Sequence, residues 1–128
     1  MKSKLTMNGF EDYLEKVAKA GADIDEVCGE ALTVGGQILE AGMQRRAPEL
    51  TGDLKSHIKM LPVVRDGNRS FTKVGVFDVN RETELYFFYQ EWGTASTAAH
   101  PYIKPTFDED WRRARAAMKQ VFIDRGAL

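Results

Sequence analysis

The stretch RRAPELTGDLKSHIKMLPVVRDGNRSFTKVGVF, residues 45–77, is where the hydrophobic period of the chain changes. On its N-terminal side Ile24, Val27, Ala31, Val34, Ile38 and Leu39 recur at three-and-four spacing, which predicts a long helix from Asp23 to about Arg46. Pro48 drives the residue before it out of the α region and Gly52 admits a turn, so the helix ends in Ala47-Pro48-Glu49-Leu50-Thr51-Gly52-Asp53-Leu54. Beyond it apolar residues alternate. Ile58 and Met60, with Pro62 or Val63, predict one strand; Asp66-Gly67-Asn68-Arg69 is a turn; Phe71, Lys73, Val74, Val76 and Phe77 predict the next. An aromatic run from Leu85 to Gln90 reads as a third strand, and connections this short favour an antiparallel meander over parallel crossovers.

Upstream, Phe10, Tyr13, Leu14 and Val17 share a helical face over residues 10–20, with Asn8 as cap and Gly21 as stop. Residues 1–8 are expected to be a disordered N-terminus. Gly29, Gly35, Gly36 and Gly42 weaken the second helix and point to close backbone packing, or to a bend at the Gly35-Gly36 pair. Downstream, Thr106 and Glu109 fit a capping box opening a last helix. Its apolar face carries Phe107, Trp111, Ala114, Met118, Val121 and Phe122, with Arg112, Arg115 and Lys119 on the other side. The expected fold is α+β in a single domain spanning 1–128: two N-terminal helices, a meander of about three or more strands, and a C-terminal helix packed on the sheet. Residues 93–105 are expected to form an extended loop or arm.

A chain of 128 residues can bury about two-thirds of its unfolded surface in one core. Apolar residues at 43% and charged residues at 29% describe a globular domain, without an apolar run long enough to span a bilayer. Met1-Lys2-Ser3-Lys4 is followed by no apolar core, so no export signal is expected. A net charge of −1 gives no global reason to expect a polyanionic partner, and the lone Cys28 suits a buried inert thiol.

Chemistry-bearing patterns are sparse. His57 and His100 belong to no metal-ligand spacing, and the chain has no nucleophile elbow, phosphate loop or dinucleotide motif. Asp108, Glu109 and Asp110, like Asp23, Asp25 and Glu26, suit the first turn of a helix. The reading therefore assigns no catalytic, cofactor or metal residues. Arg112, Arg115 and Lys119, beside Lys104, could touch phosphates; their plainer reading is a solvated helix face balanced by the acids one turn earlier. Tyr86-Phe87-Phe88-Tyr89 could stack bases, but a strand would divide them between two faces, as core or interface.

Two signatures carry a family resemblance. The first is Arg46-Ala47-Pro48-x-x-Thr51-Gly52-x-Leu54 after a long amphipathic helix; the second is Tyr89-x-Glu91-x-Gly93-Thr94, a small-residue spacer, then His100-Pro101-Tyr102-Ile103-Lys104-Pro105-Thr106-Phe107 leading into a terminal helix. Their order and spacing, over residues from about 30 to 125, resemble the gene-10-like tail-completion family of lambdoid phages, small head-tail joining or neck proteins of tailed phages and prophages. The chain departs from the family pattern at Trp92, Tyr102 and Thr106, keeping aromatic or small character.

The resemblance implies a virion structural protein, without enzymatic activity or cofactor, that completes the tail and joins it to the head. Implied partners are further copies of the chain in a ring of six, connector or neck proteins, and tail-tube or tail-terminator proteins. No membrane and no specific nucleic acid is implied. The location would be the head-tail interface of the virion, with the host cytoplasm during assembly. Glu91, Trp92, Gly93 and Thr94 at the bend and His100, Pro101, Tyr102, Ile103 and Lys104 on the arm are the expected protein-interaction residues. Glu91 is expected to hold loop amides or to pair with Lys104, and Arg112, Arg115 and Lys119 are the candidate nucleic-acid contacts.

Overall fold

The period change at Pro48 separates a helix from a sheet in the computed structural model of the chain, which describes residues 2–6, 24–48, 53–67 and 69–126. In chain order the elements are β1 (Lys2–Thr6), α1 (Ile24–Arg46), α2 (Asp53–His57), β2 (Ile58–Met60), β3 (Val64–Asp66), β4 (Arg69–Val76), α3 (Arg81–Trp92) and α4 (Ile103–Asp124). Asp25 and Glu26 in the first turn of α1 and Arg45 and Arg46 in its last suit the helix dipole. The helix expected over residues 10–20 lies outside the described residues, whereas Lys2–Thr6, in the stretch expected to lack order, is paired in the sheet.

Strand β4 is the centre of an antiparallel sheet. β1 pairs along one side of it, from Lys2 opposite Gly75 to Thr6 opposite Phe71. β2 and β3 share the other side, Ile58 facing Val76 and Val64 facing Phe71. Between them Leu61 donates its amide to the Lys73 carbonyl at 2.8 Å, so β2 and β3 act as one interrupted edge. The turn expected at Asp66–Arg69 closes the β3–β4 hairpin, with Gly67 at φ 61°.

Helix α1 is the middle layer, with the sheet on one face and α4 on the other. α4 therefore packs mainly on α1, whereas the sequence pattern put it directly on the sheet. The glycine pair decides this. A Cβ at Gly35 would meet the Met118 side chain of α4, and one at Gly36 would meet Met60 of β2. α1 runs unbroken through the pair, and these glycines serve close approach on two sides. Val27, Ala31, Leu32, Leu39 and Met43 of α1 join Ile58, Val74 and Val76 of the sheet and Ala114, Met118, Val121 and Phe122 of α4 in one core. Cys28 is buried with them, and burial pushes its thiol pKa up.

Two expectations fail on local grounds. Leu85–Gln90 lies inside helix α3 rather than a third strand of a meander. Asn80 caps that helix, its Oδ1 accepting the Thr83 amide at 2.8 Å; Glu82 and Glu84 occupy the first turn, and Gly93 follows the last. Aromatic enrichment marks a strand only where a sheet surface receives the rings, and most of these rings have none. Thr106 is likewise not a cap, because α4 begins at Ile103 and Thr106 Oγ1 donates back to the Tyr102 carbonyl at 2.6 Å. Pro105 falls in the first turn, where its missing N–H costs no helical bond.

Candidate assembly surface

Helix α3 joins the body of the domain by a narrow stripe. Phe87, Gln90 and Glu91 are its buried residues. Leu85, Phe88, Tyr89 and Trp92 recur at three, four and seven residues from Leu85, which puts them on a common face. All four are exposed, Trp92 by 61%, with Tyr86 exposed beside them. The Phe88 ring lies 6.3 Å from Trp92 and 6.0 Å from Tyr89, centroid to centroid, so the rings form a continuous patch. An aromatic patch of this kind on a water-facing helix marks a contact surface more often than scattered apolar residues do.

The buried stripe is held by Glu91. Its Oε2 accepts the amides of Tyr102 at 2.6 Å and Ile103 at 3.0 Å, and its Oε1 accepts that of Lys104 at 2.8 Å. A carboxylate 4% exposed thus satisfies the first amides of α4 and sits at the positive end of its dipole. Of the two roles expected for Glu91, capping amides is the one found. The Lys104 ammonium pairs instead with Asp108 at 2.7 Å, and that pairing raises its pKa. Tyr102 is completely buried, and its hydroxyl donates to the Phe87 carbonyl at 3.4 Å. Burial, and secondarily the Glu91 charge, push the phenol pKa well above its ordinary value.

Between these anchors the chain turns at Gly93, with φ 76° and ψ 175°. A Cβ there would lie 2.9 Å from the Ala99 nitrogen and 3.0 Å from the Thr97 oxygen, so glycine is required by conformation and by space. The Gly93 amide closes α3 on the Tyr89 carbonyl at 2.7 Å. Thr94 then organises the small-residue spacer: its amide donates to the Thr97 carbonyl at 2.9 Å, and its Oγ1 accepts the Thr97 amide at 3.0 Å. His100 returns its amide to the Gln90 carbonyl at 2.7 Å. Residues 94–101 are exposed, but both ends of the loop are tied to the last turn of α3.

A second cluster fastens α4 to α1. Arg46 Nη1 donates to Asp110 Oδ2 at 2.7 Å and to Thr106 Oγ1 at 3.2 Å, while its Nη2 reaches Glu109 at 2.8 Å. Arg45 adds a contact to Asp110 at 3.2 Å. The hydrogen bond from Arg46 holds the buried Asp110 carboxyl below the usual carboxylate range, and the bond to Asp110 raises the guanidinium pKa. Gly42 makes room, since a Cβ there would collide with Asp110 Oδ2.

The structure divides the residues expected at the interaction site. Trp92, Thr94, His100, Pro101 and Lys104 are exposed; Glu91 and Tyr102 are buried; Gly93 and Ile103 are intermediate, with Ile103 packed against the core. The extended loop or arm expected over 93–105 is cut short at its C-terminal end, because Ile103–Pro105 already belong to α4 and Tyr102 is buried in the core. Arg112, Arg115 and Lys119 are exposed along α4. The strand expected over Leu85–Gln90 would have divided Phe88 and Tyr89 between two faces, whereas the helix gathers them with Leu85 on one, and nothing local pairs Asp110 with Arg46. Asn80 and Gly93, at the ends of a twelve-residue run, were the signals that would have made the aromatic stretch a helix. Among the described residues no group of His, Cys, Asp and Glu gathers as a metal site would require, and no helix is long and apolar enough to cross a membrane.

The sequence model of the HK97-gp10-like family, described as bacteriophage HK97-gp10, a candidate tail component, matches residues 8–93, well over half of the chain. The match takes in Arg46-Ala47-Pro48 and the whole of α3 and ends at the Gly93 bend, so the His100–Phe107 signature and α4 lie beyond it. No curated protein and no solved structure matched.

Proposed function

Since this chain belongs to the HK97-gp10-like family of bacteriophage tail components, we propose that it completes the tail and joins it to the head connector through ring-forming protein-protein contacts, without catalysis. The observation that carries the proposal is the exposed aromatic face of α3, Leu85, Phe88, Tyr89 and Trp92, held on a helix whose other side is locked by Glu91. Large aromatic side chains contribute most of the energy of typical protein interfaces and gain little by facing water. A head-to-tail ring needs two different surfaces on each subunit, and this face supplies one of them. In this reading the protein acts at the head-tail interface of the virion after assembly in the host cytoplasm, against copies of itself and against connector and tail-tube or tail-terminator proteins.

The test is complementation of a phage that lacks this chain. Phe88→Ser/Trp92→Ser is expected to give a folded, soluble protein that leaves filled heads and separate tails in electron micrographs. Normal yields of joined particles from that variant would remove the proposed role of α3.

A further inference from the structure

Arg112, Arg115 and Lys119 project from α4 at spacings of three and four residues, which sets them along one face over about 10 Å at 1.5 Å rise per residue. The sequence suggested that acids one turn earlier would balance them. Each of those acids is engaged elsewhere. Asp108 accepts from the Lys104 ammonium at 2.7 Å, Glu109 from Arg46 at 2.8 Å, and Asp110 from Arg46 at 2.7 Å and Arg45 at 3.2 Å. At the far end Asp124 accepts the Gln120 amide at 2.8 Å. Other arginines of the domain find acids: Arg65 with Asp25, Arg113 with Asp110 at 3.9 Å, and Arg125 with Glu26 and Glu30. Among the described residues, Arg112, Arg115 and Lys119 enter no ion pair.

We propose that this stripe binds the phosphodiester backbone of double-stranded DNA. Guanidinium groups present paired donors that match phosphate oxygens, and duplex DNA carries a charge every ~1.7 Å of its axis counting both strands, so a row of cations about 10 Å long spans several phosphates. An acidic protein patch would instead have to match the spacing of these three side chains. Ala116 and Ile123 share the exposed face, and neither stacks on a base nor reads its edge. The contact is therefore to backbone and independent of sequence. It is separate from the aromatic face of α3 and does not depend on the ring.

Fluorescence anisotropy of a labelled mixed-sequence duplex against the purified full chain tests this. Binding is expected at low salt, with log K falling against log salt at a slope of about −2.7 for three phosphate contacts per chain. Arg112→Ser/Arg115→Ser/Lys119→Ser should abolish it with an unchanged circular dichroism spectrum. Arg112→Lys/Arg115→Lys and Phe88→Ser/Trp92→Ser should both retain it, which separates charge from folding and from the assembly surface. Absence of wild-type binding at low salt, or equal binding by the triple serine variant, would overturn the proposal. So would displacement of DNA by poly-glutamate at equal charge concentration, which would assign the stripe to an acidic protein.

Discussion

The Glu91 carboxylate receives the Tyr102 amide at 2.6 Å from eleven positions further along the chain, and the same oxygen takes the Ile103 amide at 3.0 Å. One side chain in the last turn of α3 therefore starts α4 and fixes the seat of Tyr102. Glu91→Ala would leave buried amides without an acceptor. We expect a loss of about 2–4 kcal/mol in urea unfolding, since hydrogen bonds to charged groups contribute roughly 1.5–3 kcal/mol each and are not additive. Glu91→Gln keeps one carbonyl acceptor and should fall between the two.

Gly93→Ala tests the bend. The new methyl would press on the Ala99 and Thr97 backbone, which has no flexible end to move aside, and φ 76° is itself unfavourable for alanine. A loss of about 1–3 kcal/mol is expected by thermal unfolding. A variant as stable as the wild type would show that the 94–99 loop relaxes freely.

Gly42→Ala sets two effects against each other. Alanine favours the α1 helix by about 1 kcal/mol, but its methyl would occupy the place of Asp110 Oδ2. The seam should lose more than the helix gains, because overpacking typically costs about 1–3 kcal/mol and here also disturbs the bonds from Arg46. The sign of the change in the urea midpoint decides it.

Asp110 predicts the acid limb of stability. The Arg46 hydrogen bond depresses its folded pKa, so the unfolded chain takes up the proton first as pH falls. Its stabilisation is fully present above the ordinary carboxylate range and is lost as pH drops through the lowered folded value. Urea midpoints measured from about pH 6 down to pH 2 should fall steeply for the wild type and more gently for Asp110→Asn.

The frame of the fold was legible in the sequence where period and punctuation agreed. The three-and-four stripe ended at Arg46, and alternation flanking Asp66–Arg69 produced the β3–β4 hairpin. It failed in α3, where aromatic composition argued for a strand while Asn80 and Gly93 argued for a helix. The local caps prevailed, and the rings of Phe88, Tyr89 and Trp92 are exposed rather than buried on a sheet face. Glu91 was legible as a residue that holds amides, but the start of α4 was not. Its cap comes from α3, eleven residues before the first amide it receives, rather than from a neighbouring serine or threonine. The Arg46–Asp110 pair lies 64 residues apart and has no local signature.

The claim that the α3 face is an assembly surface is tested most directly by hydroxyl-radical footprinting of Phe88, Tyr89 and Trp92, read by mass spectrometry. The isolated chain should oxidise readily at all three, and the same residues in purified, assembled virions should be strongly protected, while exposed Val64 on β3 serves as an internal reference. Equal oxidation in the free chain and in the virion would contradict the account.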